Sequence, residues 1–156
     1  MVVLKEGSKA PDFSLPDQEG KVRSLKDYVG KKLAVYFYPK DDTPGCTTQG
    51  CNIRDNYSKL IEKGINVVGI SKDNVESHKK FASKFKFNFP ILSDEKMQVL
   101  KSYGVWQEKS LYGKTFLGIK RTTFLIDEKG VIIKIIEKPD VANHAKEIAE
   151  GFGLKV

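Results

Sequence analysis

Residues 36–54 read YFYPKDDTPGCTTQGCNIR, and the change of character within this stretch decides the fold. Leu33 to Tyr38 (LAVYFY) is too short and too uniformly apolar for a surface helix, which predicts a buried central strand. Proline cannot donate to a ladder, so Pro39 ends it. From Thr43 or Pro44 to about Lys63 the apolar period becomes 3.6. Ile53, Tyr57, Leu60 and Ile61 share one face of the predicted helix, and Gly64 stops it. Cys46 and Cys51, the only two cysteines, both fall where strand hands over to helix. Side chains there are held firmly yet stay within reach of solvent.

Outward from this stretch the signals alternate. Upstream, Phe13–Leu15 and Val22–Leu25 flank Pro16-Asp17-Gln18-Glu19-Gly20 and predict a small hairpin. Downstream, Ile65–Ile70 (INVVGI) predicts a second buried strand, Asn74–Phe85 a helix with His78, Phe81, Ala82 and Phe85 inward, and Phe89–Leu92 a short strand. Asp94 is expected to cap a third helix running to Tyr103 and closed by Gly104. Val105–Ile119, rich in glycine and aromatics, reads as a long connection. Thr122–Ile126, the turn Asp127-Glu128-Lys129-Gly130 and Val131–Ile136 form a second hairpin signal. A last helix, Val141–Phe152, would bury Val141, Ala145, Ile148 and Ala149. Strands alternating with helices, closed by an antiparallel hairpin, imply an α/β fold with a mixed sheet covered on both faces, a sandwich of the thioredoxin-like kind with an N-terminal hairpin. No linker or repeat divides the 156 residues, so residues 1–156 read as a single domain.

Composition bounds the function. Hydrophobic residues make up 40% and charged residues 30% of the chain, without low-complexity tracts, as in compact folded proteins. No apolar run approaches the roughly 20 residues needed to span a bilayer. The opening MVVLKEGSKAPDF lacks an apolar leader, so a cytoplasmic location is expected. The formal charge is +7, but lysines are scattered among acidic residues and only three of the 27 basic residues are arginines. Lys79, Lys80, Lys84 and Lys86 read as the solvated face of a helix, so neither a nucleic-acid nor a membrane partner is expected.

In a reducing compartment two close cysteines point to catalysis or metal binding rather than to a structural staple. Cys46 sits in the first turn of the helix that Pro44 starts, where free N–H groups and the helix dipole favour a thiolate. Asp41 and Asp42 would oppose this if they faced the sulfur, and Arg121 is the candidate cation to offset them. On a regular helix Cys51 lies about 140° around from Cys46 and about 7.5 Å along the axis. A disulfide needs Cα atoms within roughly 7 Å and converging Cβ vectors, so the two can bond only if the first turns unwind. Thr47, Thr48 and Gly50 make unwinding cheap. Several readings stay open on the residues alone. The C-x4-C spacing suits neither a metal site completed by His78 and His144 nor the C-x2-C of a thiol–disulfide oxidoreductase. Two unrelated buried cysteines, a redox-sensing binding or chaperone-like protein, and a peroxide-reducing thiol with a nearby resolving thiol remain. Trp106, Tyr103, Tyr112 and Phe116 fit either core packing or a docking surface, and both histidines read as structural or surface residues.

Pro39, Thr43 and Cys46 match the P-x3-T-x2-C motif of peroxiredoxins. The fuller PKDDTPGCTTQGC, with APDFSLPD, FPILSDE, YGVW and RTTFLID, resembles the bacterioferritin-comigratory or peroxiredoxin Q subfamily over nearly the whole chain. This resemblance implies a peroxidatic Cys46 and a resolving Cys51 in the same helix. It implies that Thr43 and Arg121 activate the sulfur and orient the peroxide, and that Pro39 shields the pocket. It further implies hydrogen peroxide and organic hydroperoxides as substrates, thioredoxin or a glutaredoxin-like reductant as partner, a monomer, and no cofactor or metal.

Overall fold

The computed structural model describes residues 3–155; residues 1, 2 and 156, the ends of the expected domain and of the segment read as lacking a leader, lie outside the described residues. In chain order β1 (Ser14–Pro16) and β2 (Val22–Ser24) pair as the expected N-terminal hairpin. β3 (Lys32–Phe37) leads into α1 (Pro44–Glu62), followed by β4 (Ile65–Ser71), α2 (Val75–Phe85), β5 (Ile91–Ser93) and α3 (Gln98–Ser102). Then come β6 (Trp106–Leu111), β7 (Lys114–Ile119), β8 (Thr122–Ile126), β9 (Ile132–Ile136) and α4 (His144–Gly151).

The main sheet has the order β5-β4-β3-β8-β9, with β3 parallel to β4, β4 parallel to β5, and β8 antiparallel to both β3 and β9. This is the mixed thioredoxin-like sheet that the element order predicts. Because side chains alternate along a strand, β3 feeds two cores. Leu33, Val35 and Phe37 meet Leu100 and Tyr103 on one face. Ala34, Tyr36 and Tyr38 meet Ile53 and Leu60 of α1, Phe81 of α2 and Ile148 of α4 on the other. Each fully buried aliphatic or aromatic side chain stabilises by roughly 1.5–3 kcal/mol. The central strand, buried on both sides, therefore fixes where its C-terminal end delivers Pro39 and the start of α1. Among the described residues no helix is long and apolar enough to cross a membrane.

Four expectations need correction. β5 begins at Ile91 rather than Phe89, because Pro90 has no N–H to donate, although Phe89 is buried beside it. The third helix is one short turn, not a run from Asp94: Met97 takes a left-handed φ of 59° and separates the turn at Asp94 from α3. The Asp94 carboxylate still accepts from the Leu100 N–H at 2.8 Å, capping from a distance. Val105–Ile119 is no irregular connection: β6 and β7 pair from Trp106↔Ile119 to Leu111↔Lys114. Tyr112 and Gly113, at φ 52° and 76°, supply the two positive dihedrals of a type I′ turn. The last helix starts three residues late, after a 3-10 turn at Val141–Asn143 in which Val141 is only half-buried. Ala145, Ile148 and Ala149 are buried as expected.

Candidate active site

α1 begins as its sequence dictates. Thr43 is the extended N-cap and Pro44 occupies the first turn, where a missing N–H costs nothing. The Thr43 hydroxyl donates to the Lys40 carbonyl at 2.8 Å instead of capping the helix. Its hydrogen is thereby committed, while the oxygen keeps lone pairs free to accept. Cys46 follows on the buried face, 2% exposed, in one core with Tyr36, Tyr38 and Ile53. Pro39 stands half-buried directly beyond the strand that delivers the loop.

Arg121, half-buried and one residue before β8, closes over the sulfur. Its Nη2 donates to Cys46 Sγ at 3.4 Å and its Nη1 to Gln49 Oε1 at 2.6 Å. The guanidinium lies against Gly45, where a Cβ would sit 3.1 Å from Nη2, so glycine there lets the cation approach. The fixed fork of arginine suits this double engagement; a lysine ammonium would not. Gln49 is the residue that sequence reasoning missed. It is wholly buried, and its Nε2 has no hydrogen-bond partner among the described residues. The available signal was its place one turn after Cys46, on the same helix face as Ile53. Lys109 of β6 also approaches, donating to the Ile119 carbonyl at 2.8 Å. Burial, and then the Arg121 charge, push its ammonium down, while the Cys46 sulfur acts in the opposite sense. Tyr36, beneath the site, is pushed well up by burial and secondarily by the sulfur, so its hydroxyl stays protonated.

The feared acidic residues are turned away. Asp41 is buried against α2, and Asp42 pairs with Lys84 of that helix at 2.8 Å. Neither histidine is hydrogen-bonded to Cys46 or Arg121. His78 sits between Asp41 and the Leu92 carbonyl, and His144 between Thr123 and Glu147. Both are wholly buried structural groups rather than surface ones.

Cys51 lies in the same continuous α1 as Cys46, half-buried, and both thiols are free. The regular helix keeps them about 140° apart in direction. Between them the ring of Phe87 packs on Gly50 so closely that a Cβ would fall 2.4 Å from it. Just beyond Cys51 the helix is clamped. Asn52 Nδ2 donates to the Ala142 carbonyl at 2.9 Å, and its Oδ1 accepts from the Ala145 N–H at 2.8 Å, tying α1 to the start of α4. Of the aromatic group read as core or docking surface, Tyr103 is core. Phe116 and Tyr112 are exposed on the β6–β7 hairpin, Tyr112 at 95%.

Comparison with known proteins identifies the family. The profile of the AhpC/TSA family matches residues 7–135. Peroxiredoxin Bcp of Escherichia coli is 50% identical over 141 residues, 90% of each chain. Peroxiredoxin Bcp of Bacillus subtilis is 40% identical over 146 residues, 94% of this chain and 93% of that one. Among solved structures, that of a bacterioferritin comigratory protein from Xanthomonas campestris, described with its alkyl peroxide reduction activity, superposes with a TM-score of 0.84 at 36% identity over 90% of each chain. Peroxidoxin BcpB of Mycobacterium tuberculosis superposes with a TM-score of 0.84 at 35% identity, over 98% of this chain and 99% of that one. With a buried cysteine opening a helix under an arginine, and a second cysteine in the same helix, the chain belongs to the AhpC/TSA family of peroxiredoxins, in its Bcp or peroxiredoxin Q branch.

Proposed function

We infer that the protein is a thiol peroxidase in which Cys46 is the nucleophile and Cys51 the resolving thiol. The observation that carries this is the Arg121 guanidinium on the Cys46 sulfur at the mouth of a helix that also holds Cys51. The Cys46 thiolate attacks the terminal oxygen of ROOH. The S–O bond forms as the O–O bond breaks, and RO⁻ leaves to take a proton as ROH. Arg121 stabilises the charge moving from sulfur to the departing oxygen. The Thr43 oxygen, its own hydrogen held by Lys40, accepts the peroxide O–H and orients it. Pro39 shields the reacting pair from water.

The first turns of α1 then unwind. The Cys51 sulfur attacks Cys46–SOH, releasing water and leaving the Cys46–Cys51 disulfide, which a dithiol of the thioredoxin or glutaredoxin type reduces back to two thiols. Substrates are hydrogen peroxide and small organic hydroperoxides, in line with the alkyl peroxide activity named for the Xanthomonas relative. We take the chain to work as a monomer in the cytoplasm. The test is NADPH oxidation coupled through thioredoxin and its reductase. Turnover abolished by Cys46→Ser is expected. Turnover unaffected by that change would refute the assignment, as would a dominant Cys46–Cys46 intermolecular disulfide in peroxide-treated wild type for the role of Cys51.

A further inference from the structure

The loop joining β3 to α1 carries Pro39 and Thr43, yet what fixes it lies on a different element. Asp41, 7% exposed, is held on every side. Its Oδ1 accepts from the Tyr38 hydroxyl at 2.6 Å. Its Oδ2 accepts from Ser77 Oγ at 2.8 Å and lies 2.6 Å from Nδ1 of His78. Its own N–H donates to Asp73 Oδ2 at 2.9 Å, an oxygen that Ser71 also reaches at 2.6 Å. The far ring nitrogen of His78, Nε2, is 2.8 Å from the Leu92 carbonyl of β5. A carbonyl can only accept, so Nε2 carries hydrogen. Nδ1 in turn faces the Asp41 carboxylate, so the ring spans β5 and the loop. Asp41, Asp73 and His78 together have the spacing of a cation site, but the hydrogen bonds just described already engage their inward-facing atoms.

We propose that Asp41, gripped by Tyr38, Ser77 and buried His78, is a positioning residue for the peroxide step, acting through Thr43. Lys40, whose carbonyl holds the Thr43 hydroxyl, is joined to Asp41 by a single peptide bond. Fixing Asp41 therefore fixes where the Thr43 oxygen stands relative to Cys46. The grip also lies upstream of the segment that unwinds, so the loop keeps its place while the helix beyond it moves. The inference rests on the peroxidase reading, but the two fail differently. A wild type that does not react with peroxide refutes the first, whereas the role of Asp41 is read only from differences between variants of a reactive protein.

The experiment compares two reactions of the same sulfur in a Cys51→Ser background: with hydrogen peroxide, by competition kinetics, and with iodoacetamide, which needs the thiolate but no oriented oxygen. Asp41→Asn and His78→Gln are expected to slow the peroxide reaction about 10- to 100-fold, and Tyr38→Phe and Ser77→Ala about 2- to 10-fold. Alkylation should change less than about 3-fold in all four. Adding Tyr38→Phe to Thr43→Val should cost nothing further, since residues acting as one unit are not additive. The proposal is overturned if the peroxide rate in Tyr38→Phe and Ser77→Ala stays within twofold of the parent. It is equally overturned if peroxide and alkylation rates fall in parallel, or if the Tyr38→Phe and Thr43→Val losses simply add. Should Asp41→Asn or His78→Gln not fold, the two milder variants decide alone.

Discussion

Replacing Arg121 tests the proposed chemistry most directly, because one side chain serves both the sulfur and the helix. Arg121→Met removes the donor 3.4 Å from Cys46 Sγ and leaves Gln49 Oε1, now 2.6 Å from Nη1, buried without a partner. Loss of one donor that stabilises developing charge costs about 2.7–4 kcal/mol in the transition state, or about 10²- to 10³-fold in kcat/KM. An acceptor stranded in the interior costs about 1–3 kcal/mol of stability, which lowers Tm by about 2–4 °C per kcal/mol in a chain of this size. Arg121→Lys keeps the charge but not the fork, so it can satisfy either the sulfur or Gln49. A loss of about 10- to 100-fold is expected, with a Tm between those of the other two proteins. Competition kinetics with hydrogen peroxide and thermal unfolding of the reduced proteins read both quantities. Arg121→Lys with the wild-type rate, or Arg121→Met within threefold of it, would refute the reasoning.

Other perturbations follow from the same geometry. Gly50→Ala should gain about 1 kcal/mol of helix propensity but lose about 1–3 kcal/mol by driving a methyl into Phe87, 2.4 Å away. The unwound state is then favoured, and mass spectrometry under excess peroxide should find less Cys46 sulfinic acid than in wild type; more would contradict the prediction. Gln49→Leu removes both the orphaned Nε2 and the anchor for Arg121. Stability should shift by less than about 1 kcal/mol as the two effects offset, while peroxide kcat/KM falls about 3- to 30-fold. A kcat/KM unchanged by this variant would dismiss the anchoring role. Burial pushes Tyr28, Tyr36, Tyr38, Tyr57 and Tyr103 up, so the unfolded chain loses these phenolic protons first. Their contribution to stability is complete below about pH 10 and is lost as pH rises above it. Urea midpoints should therefore drop steeply only above that pH, and a flat profile to pH 12 would contradict the burial.

What the sequence made legible follows from how each part is stabilised. β3 and β4 are buried on both faces, so their apolar runs read directly as central strands. The β6–β7 hairpin escaped because its strands, QEKS and KTFLG among them, bury little and hold together mainly by their own ladder. Without a buried face there is no period for a pattern to show. Cys46 and Arg121 stood out by chemistry and rarity. Gln49 did not, since a glutamine in the first turns of a helix reads as solvated, and Arg121, the partner that engages its Oε1, lies 72 residues on. Asp41 was left open for the same reason. Beside Cys46 in sequence it would oppose a thiolate only if it faced the sulfur, and Ser77 and His78, 36 and 37 residues on, turn it away.

The Asn52 clamp has a kinetic consequence. On the proposed cycle only the turns ahead of it come apart, while Ile53 and Leu60 stay buried and the rest of α1 stays wound. When the disulfide is reduced, residues 44–51 do not nucleate a helix afresh, the step that makes short helices slow and improbable. They add turns to an existing end, which proceeds at about a nanosecond per residue. Resetting the site is thus elongation on a standing template, far faster than the roughly 1–10³ s⁻¹ of ordinary enzyme turnover. Two low-propensity turns can therefore re-form in every cycle without that step limiting the rate.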